Sequence, residues 1–109
     1  MYNQTVSEGK TIAIISYITI IGTVVAFVLN QNKQNYFAAF HIRQALGIFL
    51  TALIVNFLQR YSDFDWLDWL LSLGIFILWI IGLIGAIRGE EKRVPLLGDQ
   101  FQEWFRSIG

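Results

Sequence analysis

Three polar side chains stand together in a chain that is otherwise rich in apolar residues. His41, Arg43 and Gln44 occur in the stretch from Ala39 to Gln44, which reads A-F-H-I-R-Q and directly precedes an apolar run. An imidazole can exchange a proton near neutral pH, a guanidinium can bind carboxylates or phosphates, and a carboxamide can both donate and accept hydrogen bonds. These residue types could therefore take part in proton transfer, in contacts with lipid phosphates, or in contacts between helices.

Helical periodicity divides these polar residues between two faces. At about 100° per residue, one helix face gathers four residues within about 120°. These residues are His41, Gln44, Gly47 and Thr51. Because polar groups are unfavourable against lipid, we expect this face to point into the protein.

The remaining polar groups need partners of their own. Arg43 lies on a different face, and we expect it either to reach the lipid phosphates or to form an ion pair with Glu90 or Glu91 near the C-terminus. Asn56 follows further along the same helix and should hydrogen-bond to a neighbouring helix.

Composition excludes most catalytic, metal and nucleic-acid chemistry. The chain has no cysteine and a single histidine, so it offers neither thiol catalysis nor a Cys-based or His-rich metal site. Eight basic residues balance eight acidic ones without a basic run, which argues against nucleic acid binding. No serine has the surroundings of a nucleophile, and the apolar segments contain no acid to continue a proton relay from His41. We therefore expect no enzyme activity, no cofactor and no metal.

The apolar residues indicate an integral membrane protein. Of 109 residues, 55% are hydrophobic and 15% are charged, which favours one membrane domain over residues 1–109. The predicted fold is all-α, a bundle of three transmembrane helices plus a C-terminal amphipathic helix. The spans are about 11–29, 38–59 and 69–87, since about 20 helical residues cross a bilayer. The first is longer than the apolar region of a signal peptide and lacks a small-residue cleavage site, so we expect it to be retained.

The second span depends on the polar stretch. Its uninterrupted apolar part, Ala45 to Leu58, has only 14 residues and covers about 21 Å. To cross the membrane, the helix must include His41 to Gln44, which would then lie at the level of the lipid headgroups.

Small residues recur at a spacing of four, which lets membrane helices approach closely. The pairs are Gly22 with Ala26, Gly82 with Ala86, and Gly85 with Gly89. The two overlapping pairs in the third span predict helix packing, whereas the first pair also fits an ordinary membrane helix. The glycines do not form a phosphate-binding loop, because no G-K-[ST] sequence follows them.

Aromatic residues predict the interfacial regions. Trp66 and Trp69 flank an acidic second loop, in the manner of an interfacial belt. The amphipathic helix over residues 99–108 has apolar residues at helical spacing, and its apolar face lies either on the bilayer or under the bundle. Its aromatic members are Phe101, Trp104 and Phe105.

The basic residues predict an orientation for three spans. Six of the eight would lie beside the first loop and the C-terminus, and Lys10 and Arg60 would lie on the other side. The positive-inside rule then places the C-terminus in the cytoplasm and the N-terminus outside the inner (plasma) membrane.

Four sequence motifs resemble those of the Tic-twenty-like family of small bacterial membrane proteins. They are I-A-I-I-S-Y-I-T-I-I-G at Ile12 to Gly22, F-H-I-R-Q-A-L-G at Phe40 to Gly47, W-I-I-G-L-I-G-A-I at Trp79 to Ile87 and V-P-L-L-G at Val94 to Gly98. The resemblance implies a non-enzymatic subunit or accessory of a membrane assembly. A role in protein import is implied by the family's distant similarity to a chloroplast inner-envelope import subunit.

Partners follow from the small number of spans. The chloroplast subunit looks like a four-span protein, and three apolar spans leave little room for an aqueous pore. We therefore expect the lipid bilayer and either a homo-oligomer or a larger membrane-protein partner. The alternative function is a homo-oligomer that conducts protons or a small solute through His41, Gln44, Thr51 and Asn56.

Overall fold

A computed structural model describes residues 4–108, and this part of the chain is all-helical, as predicted. Five helices follow one another with short connections in the described residues. They are α1 (Gln4–Ile18), α2 (Ile20–Lys33), α3 (Tyr36–Gln59), α4 (Asp65–Arg88) and α5 (Gly98–Trp104).

The predicted first span, 11–29, is wrong as a single helix. Thr19 has an extended backbone, with φ −151° and ψ 173°, and separates α1 from α2. The chain then reverses direction, and its return is marked by a 2.8 Å hydrogen bond that the Asn35 side chain, after α2, donates to the carbonyl of Thr5 at the start of α1. We call α1 and α2 together the helical hairpin. With 15 and 14 residues, each arm covers only about 21–22 Å.

Side chains satisfy the polar backbone groups that the break exposes. Thr19 accepts a hydrogen bond from the backbone N–H of Gly22 at 3.1 Å and so caps α2. At the end of α1, the Thr23 hydroxyl donates to the carbonyl of Ser16 at 2.7 Å, and the Trp79 indole donates to the carbonyl of Tyr17 at 2.6 Å. Because these groups have protein partners, the break can lie away from water.

Small residues of α2 allow the two arms to approach. A Cβ atom on Gly22 would collide with the carbonyl oxygen of Ile15. Ala26, one turn later, is fully buried in a cluster with Ile12, Ala38 and Ile42. The predicted pair therefore lies at the contact between the arms and against α3.

Two helices, α3 and α4, are long and apolar enough to cross a membrane, so the prediction of three spanning helices is wrong in number. The hairpin covers only one end of this pair. All the buried residues of α3 lie between Phe37 and Ile48, and those of α4 are Gly82, Gly85 and Ala86. Beyond the hairpin apex at Thr19, no third helix within residues 4–108 lies beside the other halves of α3 and α4.

The C-terminal strap, which we define as residues 89–108, packs on the covered end. Its helix α5 is shorter than the predicted 99–108, and the Phe101 ring lies against Gly47, where a Cβ atom would meet it. Phe105 is half-buried and Trp104 is exposed. One face of this segment thus contacts the bundle, and Trp104 points away from it.

Both ends of the described chain lie at the same end of the bundle. The Thr5 carbonyl contacts Asn35, and the Ile108 carbonyl contacts Arg43, two turns further along α3. The expectation that the termini lie at opposite ends is not met within the described residues, because the hairpin turns back at Thr19.

Candidate functional site

The start of α3 is held firmly by two asparagines. The Asn30 side chain donates to the carbonyl of Asn35 and accepts from its N–H, at 3.2 and 2.9 Å. The Asn35 side chain in turn accepts from the N–H of Ala38 at 2.9 Å, which caps the helix. This arrangement fixes the direction of α3, and with it the position of His41 one and a half turns later.

His41 is fully buried, and its surroundings select one neutral tautomer. Its Nε2 lies 2.8 Å from the carbonyl oxygen of Glu90, which can only accept, so Nε2 carries the hydrogen. Its Nδ1 lies 2.6 Å from the Tyr17 hydroxyl and accepts from it. The rings of Tyr17, Phe37 and Phe40 stand edge-on to the imidazole, at centroid distances of 5.4, 4.8 and 4.9 Å.

Gln44 completes this hydrogen-bonded cluster. Its Nε2 donates to the Tyr17 hydroxyl at 2.9 Å and to the carbonyl of Lys92 at 3.1 Å. Its Oε1 accepts from the backbone N–H of Val94 at 2.9 Å. No buried side-chain nitrogen or oxygen in the described residues lacks a partner, so the cluster is fully satisfied without a charge.

Arg43 binds backbone carbonyls rather than the predicted carboxylates. Its Nε donates to Ile108 at 2.8 Å and its Nη2 to Arg106 at 3.1 Å. The predicted ion pair with Glu90 or Glu91 is wrong, because Arg43 faces the end of the strap while the start of the strap lies over His41. The ion pairs found in the described part of the chain are Arg93–Asp99 and Arg106–Glu103, both exposed.

His41, Arg43 and Gln44 of α3 therefore all bind the backbone of the C-terminal strap. In addition, the carbonyl of Phe40 accepts from the Gln102 side chain at 2.9 Å. Apolar contacts reinforce these bonds, since Val94 and Phe101 of the strap are buried in the main core cluster. The arrangement joins the strap to the hairpin and α3.

Two predicted members lie outside this cluster. The Thr51 hydroxyl donates to the carbonyl of Gly47 within its own helix, at 2.7 Å. Asn56 lies at the uncovered end and lines a cavity of about 440 Å³ between α3, α4 and the hairpin apex, together with Ser72 and Trp79. The structure thus does not bring Thr51 or Asn56 together with His41.

The remaining predicted residues are distributed over packing contacts, caps and the surface. Gly82 faces Tyr17, Gly85 lies close to His41, and Ala86 is buried in the main core cluster. Gly89 lies just beyond the last residue of α4 and ends the helix in the left-handed conformation with φ 77°. Trp66 and Trp69 lie near the start of α4 and are exposed.

Sequence reasoning missed Tyr17 and the strap. Tyr17 is the only side chain of α1 that reaches both His41 and Gln44 in the described structure. The sequence indicates this role only weakly, because Tyr17 is one tyrosine beside Ser16 in a long apolar run. The strap contacts join residues 48 to 65 positions apart in the chain, which no local pattern reveals.

Two curated proteins of the archaeon Methanocaldococcus jannaschii are similar to this chain. The UPF0132 membrane protein MJ1443 is 29% identical over 73 residues, which are 66% of each protein. The UPF0132 membrane protein MJ1527 is 31% identical over 78 residues, which are 70% of this chain and 56% of the relative. The chain resembles small archaeal membrane proteins.

The names of these relatives say less about function than the sequence motifs implied. Their names give a membrane location and no activity, and they lend no support to the Tic-twenty-like assignment. No family model matches the chain. No solved structure matches it either.

Proposed function

We propose that this protein is a non-enzymatic, multi-pass protein of the inner (plasma) membrane that serves as a subunit or accessory of a larger membrane assembly. The observation that carries the proposal is the uncovered half of the α3–α4 pair. Protein import or translocation is the process that the Tic-twenty-like resemblance suggests for such an assembly.

The uncovered half is an apolar surface that lipid or a protein partner must cover. In the most apolar 18-residue stretch of each helix, 50% of the residues are buried in α3 and 17% in α4. Large exposed apolar side chains cover this half, and in water such a surface would drive association. They include Leu53, Ile54, Phe57, Leu58, Leu70, Leu73, Phe76 and Ile77.

A polar group in this region favours a protein partner over lipid alone. Among the described residues, the Asn56 carboxamide has no hydrogen-bond partner, although it lines the 440 Å³ cavity. In a membrane, such a group is stabilised by a polar group on a neighbouring helix by about 1 kcal/mol. A helix of another membrane protein can fill the cavity and supply that group.

The geometry does not favour the alternative of a conducting homo-oligomer. His41 hydrogen-bonds to the carbonyl of Glu90 in the strap and to the Tyr17 hydroxyl, and Asn56 lies in a separate cavity. A proton or solute path through both residues would have to cross the packed contact between Tyr17, Trp79 and Gly82.

The proposed membrane placement differs from the three-span prediction. In it, α3 and α4 cross the bilayer, and the hairpin enters and leaves it on one side. Seven of the eight basic residues then lie at the end shared by residues 5, 35 and 108, and Arg60 alone lies at the other. By the positive-inside rule, this distribution supports a cytoplasmic location for that end and for both ends of the described chain.

Cysteine labelling tests the placement, because the chain has no cysteine of its own. In intact cells, a membrane-impermeant thiol reagent should label Ser62→Cys and spare Ser7→Cys, Gln34→Cys and Ser107→Cys until the membrane is permeabilised. Ser7 is the deciding position, because three spans would put it on the same side as Ser62. Labelling of Ser7→Cys in intact cells would contradict the hairpin placement.

Photo-crosslinking tests the proposed assembly. A photoreactive amino acid at Leu53 or Phe76, which are 54% and 56% exposed, should form a product with one larger membrane protein, identifiable by mass spectrometry. The same amino acid at Val28, 59% exposed on the hairpin, is the matched control and should react with lipid. Lipid products alone at all three positions would overturn the proposal. Products with the mass of two copies would favour the homo-oligomer.

A further inference from the structure

A second cavity, of about 230 Å³, lies where the hairpin, the start of α3 and the end of the strap meet. Its lining residues include Gln31, Gln34, Tyr36, Arg43 and Ser107, and no Asp or Glu of the described chain is among them. All of these side chains can donate hydrogen bonds, and Arg43 adds a permanent positive charge. A cavity of this composition attracts anions.

Some N–H groups of the Arg43 guanidinium have no acceptor among the described residues. It has five N–H groups, and the two carbonyls of Ile108 and Arg106 engage two of them. Within residues 4–108 it forms no ion pair, and no carboxylate of these residues neutralises its charge. The side chain is only half-buried, which leaves the remaining N–H groups available to a ligand.

The wall of the cavity is held in place before any ligand binds. Asn30 and Asn35 are buried, and the Asn30 side chain hydrogen-bonds to both the carbonyl and the N–H of Asn35. Between them, Gln34 adopts the left-handed conformation with φ 46°, and its N–H bonds to the carbonyl of Asn30 at 2.7 Å. A fixed loop loses little entropy when a ligand binds, so it is a suitable scaffold for the donors it carries.

We propose that this cavity binds a phosphate-bearing group through Arg43, with Gln31, Gln34 and Ser107 as further donors. Guanidinium groups bind phosphate with strong, charge-assisted hydrogen bonds. The volume of about 230 Å³ equals that of about eight water molecules at ~30 Å³ each, which is enough for a phosphate with a small substituent. The phosphate can belong to an anionic phospholipid headgroup or be free in solution, and the headgroup rests on the membrane placement proposed above.

The test uses a charge placed in the cavity at constant side-chain size. Gln31→Glu introduces a carboxylate beside Arg43, which should repel phosphate and compete for the guanidinium. Gln100→Glu makes the same charge change on the exposed surface of α5 and is the matched control. Both variants are exposed substitutions, and a melting curve in detergent verifies that each is folded.

Native mass spectrometry of the full chain in detergent measures binding of phosphatidylglycerol against phosphatidylcholine. Wild type and Gln100→Glu should retain phosphatidylglycerol preferentially, and Gln31→Glu should bind it about tenfold more weakly, because the new carboxylate repels the phosphate and competes for the charge-assisted hydrogen bonds of Arg43. Titration with inorganic phosphate, followed by phosphorus NMR, forms the second arm. Binding of inorganic phosphate that is lost in Gln31→Glu, without a lipid preference, would assign the cavity to free phosphate.

The proposal is overturned if wild type binds neither probe, or if Gln31→Glu and Gln100→Glu bind like wild type. Equal losses in both variants would also overturn it, because they would indicate a general charge effect. The outcome is separable from the assembly proposal, since lipid retention does not require the crosslinked partner and crosslinking at Phe76 does not involve Arg43.

Discussion

Replacing Gln44 by leucine is expected to release the C-terminal strap and to lower the free energy of unfolding by about 2–4 kcal/mol. Leucine has a similar size but forms none of the three hydrogen bonds of Gln44. The N–H of Val94 would be left buried without an acceptor, and each orphaned buried group costs about 1–3 kcal/mol. The Tyr17 hydroxyl would lose a donor at the same time, which weakens its contact with His41.

Limited trypsin digestion in detergent measures the release. Lys92 and Arg93 are exposed, but a protease needs a locally unfolded segment of chain, so cleavage there should be faster in Gln44→Leu than in wild type. Thr51→Val is the matched control, because the Thr51 hydroxyl bonds only within its own helix, and its cleavage rate should stay unchanged. Equal cleavage of Gln44→Leu and wild type would show that Gln44 does not hold the strap.

The inward face of α3 could be predicted because helical periodicity is local. The positions of His41, Gln44 and Gly47 follow from the rotation per residue, and all three are buried in the structure. The partners of these residues could not be predicted, because they are backbone atoms of a segment that returns from the far end of the chain. Every residue has a backbone carbonyl, so the sequence does not indicate which one will accept a hydrogen bond. The carboxylates of Glu90 and Glu91 are identified by residue type and were therefore predicted as partners.

The break at Thr19 was missed for a related physical reason. A threonine in an apolar run is compatible with a continuous membrane helix, and the hydropathy of Thr11 to Leu29 is that of one span. What permits the break is tertiary: Thr23 and Trp79 supply donors to the end of α1, and Gly22 allows the arms to meet. These contacts exist only once the chain has folded back.

Folding the first predicted span into a hairpin also changes the membrane topology that the basic residues predict. With a straight first helix, Lys10 lies opposite the first loop. In the hairpin, the residue before it, Gly9, lies against the Asn35 side chain. The basic residues are then concentrated at one end more strongly than the three-span prediction had them. The same sequence signal therefore supports a different placement of the N-terminal segment.

Replacing Gly82 by alanine is expected to destabilise the protein by about 1–3 kcal/mol, the usual cost of overpacking a core. A Cβ atom at Gly82 would lie 2.7 Å from Cε1 and 3.0 Å from the hydroxyl oxygen of Tyr17. The Tyr17 ring cannot easily move aside, because its hydroxyl bonds to His41 and Gln44 and its carbonyl accepts from Trp79. Relief of the collision must therefore break part of the polar cluster or separate α1 from α4.

Gly74→Ala is the control that isolates this effect, measured as the free energy of unfolding by denaturant in detergent. Apart from its own stretch of helix backbone, no described heavy atom lies within 4 Å of a Cβ atom at Gly74. Alanine favours a helix over glycine by about 1 kcal/mol, so this variant should be as stable as wild type or more so. Both glycines lie inside α4 and gain the same helical preference, so the difference between the two variants measures the contact with Tyr17. Equal stabilities would mean that the hairpin does not rest on Gly82, and the close packing of α1 against α4 would then be wrong.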